Sequence, residues 1–153
     1  LTDTKGTGIL NALFDSYAPW FGSIPQRNTG VIIADRPGKV TPYASLAMAD
    51  RGELFVDIGI EVYKGMVVGE RNKSGDLDVN IVREKKLTNM RASSKDSTVV
   101  LRPPKKLSLD QCIEFIAEDE LIEVTPDSLR MRKMELDINK RISQAKKNKL
   151  IDG

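Results

Sequence analysis

Two stretches of this chain concentrate side chains that bind phosphate. Between Arg83 and Lys106 there are eight cations (Arg83, Lys85, Lys86, Arg91, Lys95, Arg102, Lys105 and Lys106) against two anions. Between Arg130 and Lys149 there are again eight cations against two anions. Each stretch therefore carries +6, although the whole chain, with 24 Lys and Arg against 22 Asp and Glu, carries only +2. The remainder must hold −10, and seven of those anions fall between Asp110 and Asp127, where no cation occurs. Such segregation is the electrostatic footprint of a phosphate-binding surface, whose affinity falls steeply with salt as counterions are released. None of the eight aromatic residues lies in either stretch. A stacking platform for single-stranded bases is therefore not expected, and folded RNA contacted through its phosphates fits better. The competing reading of residues 83–106 is an ordinary solvated loop.

Catalytic chemistry is poorly served. The chain has no histidine, which removes the commonest general base and metal ligand and every Ser-His or Cys-His pair. The phosphate-cradling pattern G-x-x-x-x-G-K-[ST] is absent, and Gly6 and Gly8 lack the third glycine of a dinucleotide fingerprint. Glu118-Asp119-Glu120 could serve as an acid/base or metal cluster only if its carboxylates shared a face, and neighbours on a helix do not. One cysteine, Cys112, excludes an internal disulfide framework and a zinc cage, and fits a reducing cytoplasm. The composition points to a binding module, with no catalytic residue, cofactor or metal of its own.

The elements that must position the basic side chains follow from pattern. At 153 residues, 40% apolar, the chain is one domain's worth, with no run of about 18 apolar residues to span a membrane. It opens at Leu1-Thr2-Asp3 without a start Met or a signal-type segment, and reads as a piece of a longer protein. Residues 6–21 suit a helix by spacing and a strand by composition, and 22–30 read as a loop. Val31-Ile32-Ile33 is a strand followed by an Asp35–Gly38 turn. Thr41 to Leu46 then reads as the return strand of a hairpin, or Ser45 to Asp50 as a helical turn ending at Gly52. Leu54–Val56 and Glu61–Glu70 are strand-like, with Gly65 and Gly69 marking bends or bulges. After a turn at Asn72–Gly75, Leu77–Val82 alternates as a strand. Residues 83–98 form a long polar loop, Val99–Leu101 resumes a strand, and Pro103-Pro104 ends it.

The clearest helix runs from Leu109 to about Glu120. Ser108 caps it, Gln111 completes a capping box, and Leu107 staples against Cys112. Leu109, Cys112, Ile113 and Ile116 form its apolar stripe, which makes Cys112 a core contact. Leu121–Val124 and Leu129–Met131 flank the turn Thr125–Ser128 as a closing hairpin, with Arg130 and Arg132 on its polar face. From Asp137 the chain is lysine-rich, either a helix around Ile138–Lys146 or a frayed tail. The expected fold is α+β: a mainly antiparallel, curled or partly barrel-like sheet, one well-capped helix, and a long basic loop.

At residues 85–93, KKLTNMRAS, the chain closely resembles the signature loop in the carboxyl-terminal domain of the BipA or TypA translational GTPases. GTGILNALFDSYAPW at 6–20, VYKGMVVGE at 62–70 and DELIEVTPDSLRMRK at 119–133 agree in the same order. The resemblance implies a parent that is similar to elongation factor G and hydrolyses GTP with Mg in a GTPase domain that these residues do not include. Residues 1–22 would end an elongation factor G-like α+β domain, 23–136 would form the family's special domain, and 137–153 a basic tail. It further implies a monomer that works in the cytoplasm at the ribosome, away from any membrane. The special domain would sit in the A site, its basic loop directed at large-subunit rRNA and the acceptor end of A-site tRNA. That role falls on Lys85, Lys86, Thr88, Asn89, Arg91, Ser93, Lys95 and Asp96, with Arg102, Lys105 and Lys106 completing the basic stretch.

Arg130, Arg132 and Lys133 carry over as rRNA contacts. Family links to stress, cold adaptation and large-subunit assembly come with the same resemblance. Ser94 departs from a common glycine, which stiffens the loop, and Ser16 from a common histidine. A different class of function would use the acidic face of the 109–120 helix (Glu114, Glu118, Asp119, Glu120) to dock a basic protein.

Overall fold

A computed structural model of the chain describes residues 8–9, 11–19, 27–85 and 102–151. Among the described residues eight strands and three helices follow one another as β1 (Val31–Ala34), β2 (Gly38–Lys39), α1 (Pro42–Met48), β3 (Gly52–Leu54), β4 (Glu61–Val62), β5 (Met66–Arg71), β6 (Leu77–Val79), α2 (Leu109–Phe115), β7 (Glu120–Val124), β8 (Leu129–Lys133) and α3 (Ile138–Ile151). Residues 11–19 are exposed and belong to neither helix nor strand.

The main sheet runs β6-β1-β5-β8-β7, with β3 pairing the far end of β5. Its ladders are antiparallel except β1 with β6, which is parallel. The α+β expectation holds, with a mixed sheet that stays open at its edges instead of closing into a barrel. Strands β2 and β4 form a separate two-stranded sheet.

β1 and β5 occupy the middle because they are apolar on both faces, as strands covered twice must be. Ile32, Ala34, Met66 and Val68 face a core completed by Ala44 and Met48 of α1 with Val40, Val79 and Ile81. Val31, Ile33 and Val67 face a second core with Met131 and Cys112 of α2. Alternation along β1 thus divides one short run between two helices. The register of β1 on β5 slips between Ile32 and Ile33, which pair with Gly69 and Val67. The bulge expected at Gly69 is there, and a Cβ on that glycine would meet the Glu53 carbonyl oxygen at 2.5 Å. Gly65 breaks β4 from β5 with φ at +85°.

Three local expectations change, and the alternative left open at Ile138 falls to the helix. Thr41–Leu46 is not a return strand: the Thr41 side chain accepts from Ala44 N–H and Pro42 opens α1, where its fixed φ and missing N–H cost nothing. β6 stops at Val79 because its partner β1 stops at Ala34; beyond it the Ile81 carbonyl holds Thr41 N–H. α2 ends at Phe115, not Glu120, because Ile116 turns extended and the Glu120 carboxylate accepts from Ala117 N–H at 3.0 Å. The chain is helical from Ile138, and the Asp137 carboxylate accepts from the N–H groups of Asn139 and Lys140 at 2.9 and 3.3 Å. The capping box at Ser108 and Gln111 is present, Leu107 packs in one cluster with Cys112, and the 121–131 hairpin forms. The strand expected at Val99–Leu101 lies outside the described residues.

Candidate RNA-binding surface

Of the first basic stretch, the described residues at its two ends, 83–85 and 102–106, serve as two anchored feet, both beside α1. At the outgoing foot, Thr41 Oγ1 donates to the Arg83 carbonyl at 2.5 Å and the Arg83 guanidinium lies 5.5 Å over the Tyr43 ring. Lys85 follows, exposed. At the returning foot, exposed Arg102 and Pro103 share a groove with Ser45, Leu46 and Ala49 of α1. Lys105 N–H then donates to the Leu54 carbonyl at 2.8 Å, extending the edge of β3. The ammonium groups of Lys105 and Lys106 stand 3.8 Å from Glu53 and 3.6 Å from Asp57. These pairs are exposed and weak, so both cations remain available to phosphate. Lys86, Thr88, Asn89, Arg91, Ser93, Lys95 and Asp96 lie outside the described residues.

The closing hairpin separates its three cations. Arg130 lines a second groove with Lys106, Leu107 and Cys112. Arg132 pairs with Glu123 at 2.7 Å, and Tyr63 donates its hydroxyl to the same carboxylate at 2.6 Å. Burial first, then that hydrogen bond, pushes the Tyr63 hydroxyl far above the ordinary tyrosine range.

Lys133 corrects the expectation of an rRNA contact. Its side chain is 2% exposed and its ammonium meets Asp76 at 2.6 Å and Asp119 and Glu120 at 2.9 Å each. β-strand alternation explains this, since Lys133 falls on the same inward face as Met131. Burial alone would lower the ammonium, but its hydrogen bonds to the three carboxylates outweigh that and raise it above the usual lysine range.

The same network dismantles the proposed acidic helix face. Of its four carboxylates only Glu114 is on α2; Glu118 and Asp119 lie in the following turn and Glu120 begins β7. Glu120 is fully buried, held by both terminal nitrogens of Arg27 at 3.0 and 2.7 Å. Burial would raise its carboxyl, yet the hydrogen bonds from Arg27 and Lys133 hold it below the usual carboxylate range. Arg27 also donates to the carbonyls of Thr29 and Phe115 and stacks 4.4 Å over the Phe115 ring. No sequence signal pointed to Arg27, because Glu120 is 93 residues away. Cys112 is buried as expected, and burial raises its thiol.

Among the described residues no helix is long and apolar enough to cross a membrane. Residues 29–138 match the family model described as the TypA/BipA C-terminal domain. The chain is 51% identical over 133 residues to the TypA-like protein SVR3, chloroplastic, of Arabidopsis thaliana, covering 87% of this chain and 20% of that protein. It is 49% identical over 142 residues to the large ribosomal subunit assembly factor BipA of Haemophilus influenzae, covering 92% and 23%. To the protein of the same name in Bacillus subtilis it is 45% identical over 150 residues, covering 97% and 24%. The chain thus spans between a fifth and a quarter of the length of these relatives. With the family model covering most of the chain, from the bulged central strands to the cap of the last helix, this protein belongs to the TypA/BipA C-terminal domain family.

Proposed function

We propose that this chain is the ribosome-binding module of a translational GTPase. It contacts large-subunit rRNA and the acceptor end of A-site tRNA through the loop 83–106. The observation that carries the reading is the family match over 29–138, with relatives named large ribosomal subunit assembly factors. The charge pattern supports it, because the loop's net +6 stands on two fixed feet that hold Lys85, Arg102, Lys105 and Lys106 outward. Lys and Arg bind phosphates, while Thr88, Asn89 and Ser93 supply donors for backbone and 2′-hydroxyl oxygens.

In this reading residues 1–22 end an elongation factor G-like domain, 23–136 form the ribosome-facing domain and 137–153 its basic extension. The chain acts as a monomer in the cytoplasm and catalyses nothing itself. GTP and Mg belong to a GTPase domain elsewhere in the parent. The cellular service is large-subunit assembly, under stress or cold.

The test is co-sedimentation with large ribosomal subunits at low and moderate salt, beside the variant Lys85→Ala/Lys86→Ala/Arg91→Ala/Lys95→Ala. Substitutions away from packed or paired groups cost within about 0.5 kcal/mol each, so in this reading the variant keeps its circular dichroism spectrum. Its ribosome association should weaken and lose salt dependence. Parent-like, equally salt-sensitive binding by a folded variant would remove the loop from the interface.

A further inference from the structure

The sequence of α3, INKRISQAKKNKLI, holds five cations and no carboxylate. Among its described side chains, those of the first turn are fixed to the domain. Asp137, which caps it, pairs with Lys64 at 2.6 Å, and Lys140 stands 3.9 Å from Glu135. Arg141 pairs with Asp78 and donates to the carbonyls of Glu135 and Leu136 at 3.0 Å each. Past Arg141 the anchorage stops. Every side chain from Ile142 to Lys147 is exposed, and among the described residues none of them has a hydrogen bond or ion pair. A polar helix of 14 residues whose described side chains beyond the first turn are all exposed is marginal by itself. A partner that neutralises its charge would stabilise it.

The side chains on offer define that partner. Lys140, Gln144 and Lys147 follow one another along one face, and Asn139, Ser143 and Lys146 along the adjoining one. As far as Lys147 both rows present donors, and over that span neither includes a large apolar residue. A docked protein would need apolar or aromatic anchors at the centre of its contact. Phosphate and 2′-hydroxyl oxygens need only the ammonium, amide and hydroxyl donors that are present.

We infer that α3 is a second RNA-binding element, separate from the loop 83–106, which lies along the phosphates of duplex RNA. The inference rests on the ribosomal reading for the choice of RNA as the polyanion. Its test is arranged so that the two can fail apart.

A labelled RNA duplex of two helical turns, unrelated in sequence to rRNA, is titrated with the whole chain by fluorescence anisotropy from low to moderate salt. The variant Lys146→Gln/Lys147→Gln and the four-residue loop variant run beside it. Gln matches Lys in helix propensity, so α3 should keep its circular dichroism signal. With about 0.9 counterion released per phosphate contact, the α3 variant should lose about 2 from the salt slope and about 60-fold in affinity at about 0.1 M salt. Lys146→Arg/Lys147→Arg should bind like the parent, which ties any loss to charge and not to folding. Parent-like affinity and slope in the Gln variant would overturn the inference, whatever the ribosome co-sedimentation shows, and would leave α3 to an acidic protein surface. Weakening in both the Gln and the Arg variants would overturn it too. Loss in the Gln variant with retention in the loop variant would establish α3 while the loop reading stands or falls on co-sedimentation alone.

Discussion

Replacing Lys133 by Met keeps the unbranched apolar stem and deletes the ammonium. That group makes three charge-assisted hydrogen bonds, at 2.6 Å to Asp76 and 2.9 Å to Asp119 and Glu120. Asp76 and Asp119 have side chains 33% and 62% exposed, so they rehydrate when the cation leaves and contribute little. Glu120 is fully buried but keeps its two bonds from Arg27. The loss therefore stays below the roughly 3–5 kcal/mol of a buried charge left alone. It is closer to one charge-assisted bond, about 2 kcal/mol. For a domain of this size that lowers Tm by about 4–8 °C.

Urea unfolding followed by circular dichroism should show an earlier midpoint with an unchanged slope. Duplex RNA binding by the folded variant should equal the parent's. Stability within about 0.5 kcal/mol of the parent together with weaker RNA binding would refute the burial argument, because that is the signature of an exposed phosphate contact.

The same network sets the acid limb of stability. Glu120 titrates below the usual carboxylate range when folded, so its contribution is present above about pH 4 and lost as pH falls through the lower folded value. Lys133 titrates above the usual lysine range, so its contribution is complete at neutral pH and lost only in strong alkali. Urea midpoints measured against pH should hold level from weakly acidic to weakly alkaline conditions and then fall in acid; Glu120→Gln should flatten the acid limb, and an unchanged limb would detach it from Glu120. Gly65→Ala places a Cβ 2.8 Å from Leu136 Cα at a φ of +85°, and should cost about 2–3 kcal/mol. A thermal melt coinciding with the parent's would show that Leu136 moves away freely.

Legibility in the sequence depended on the range of the cause. The capping box at Ser108 and Gln111 was readable because a cap is decided within four residues. The turn at Thr125–Ser128 was readable for the same reason. Thr41 and Pro42 carried an equally local helix start, overlooked because the apolar residues around them also suit a strand. The end of α2 was not readable, since it depends on where Glu120 finds a partner. Of the candidate site, both feet of the loop were legible as charge, but not their seat beside α1, which long-range hydrogen bonds from Thr41 and to Leu54 create.

By itself the sequence determined local starts and turns, the division of charge along the chain, and the absence of a histidine or a phosphate-cradling loop. Only the tertiary structure decided which cations meet solvent. Lys105 and Lys133 are the same residue to any reading of composition, yet one side chain is 46% exposed and the other 2%. The reason is that the strength of a charge depends on how much water surrounds it. Around Lys133 that water is displaced by Asp76, Asp119 and Glu120, brought together only when β8 is laid against β7 and Asp76, just ahead of β6, reaches the same ammonium.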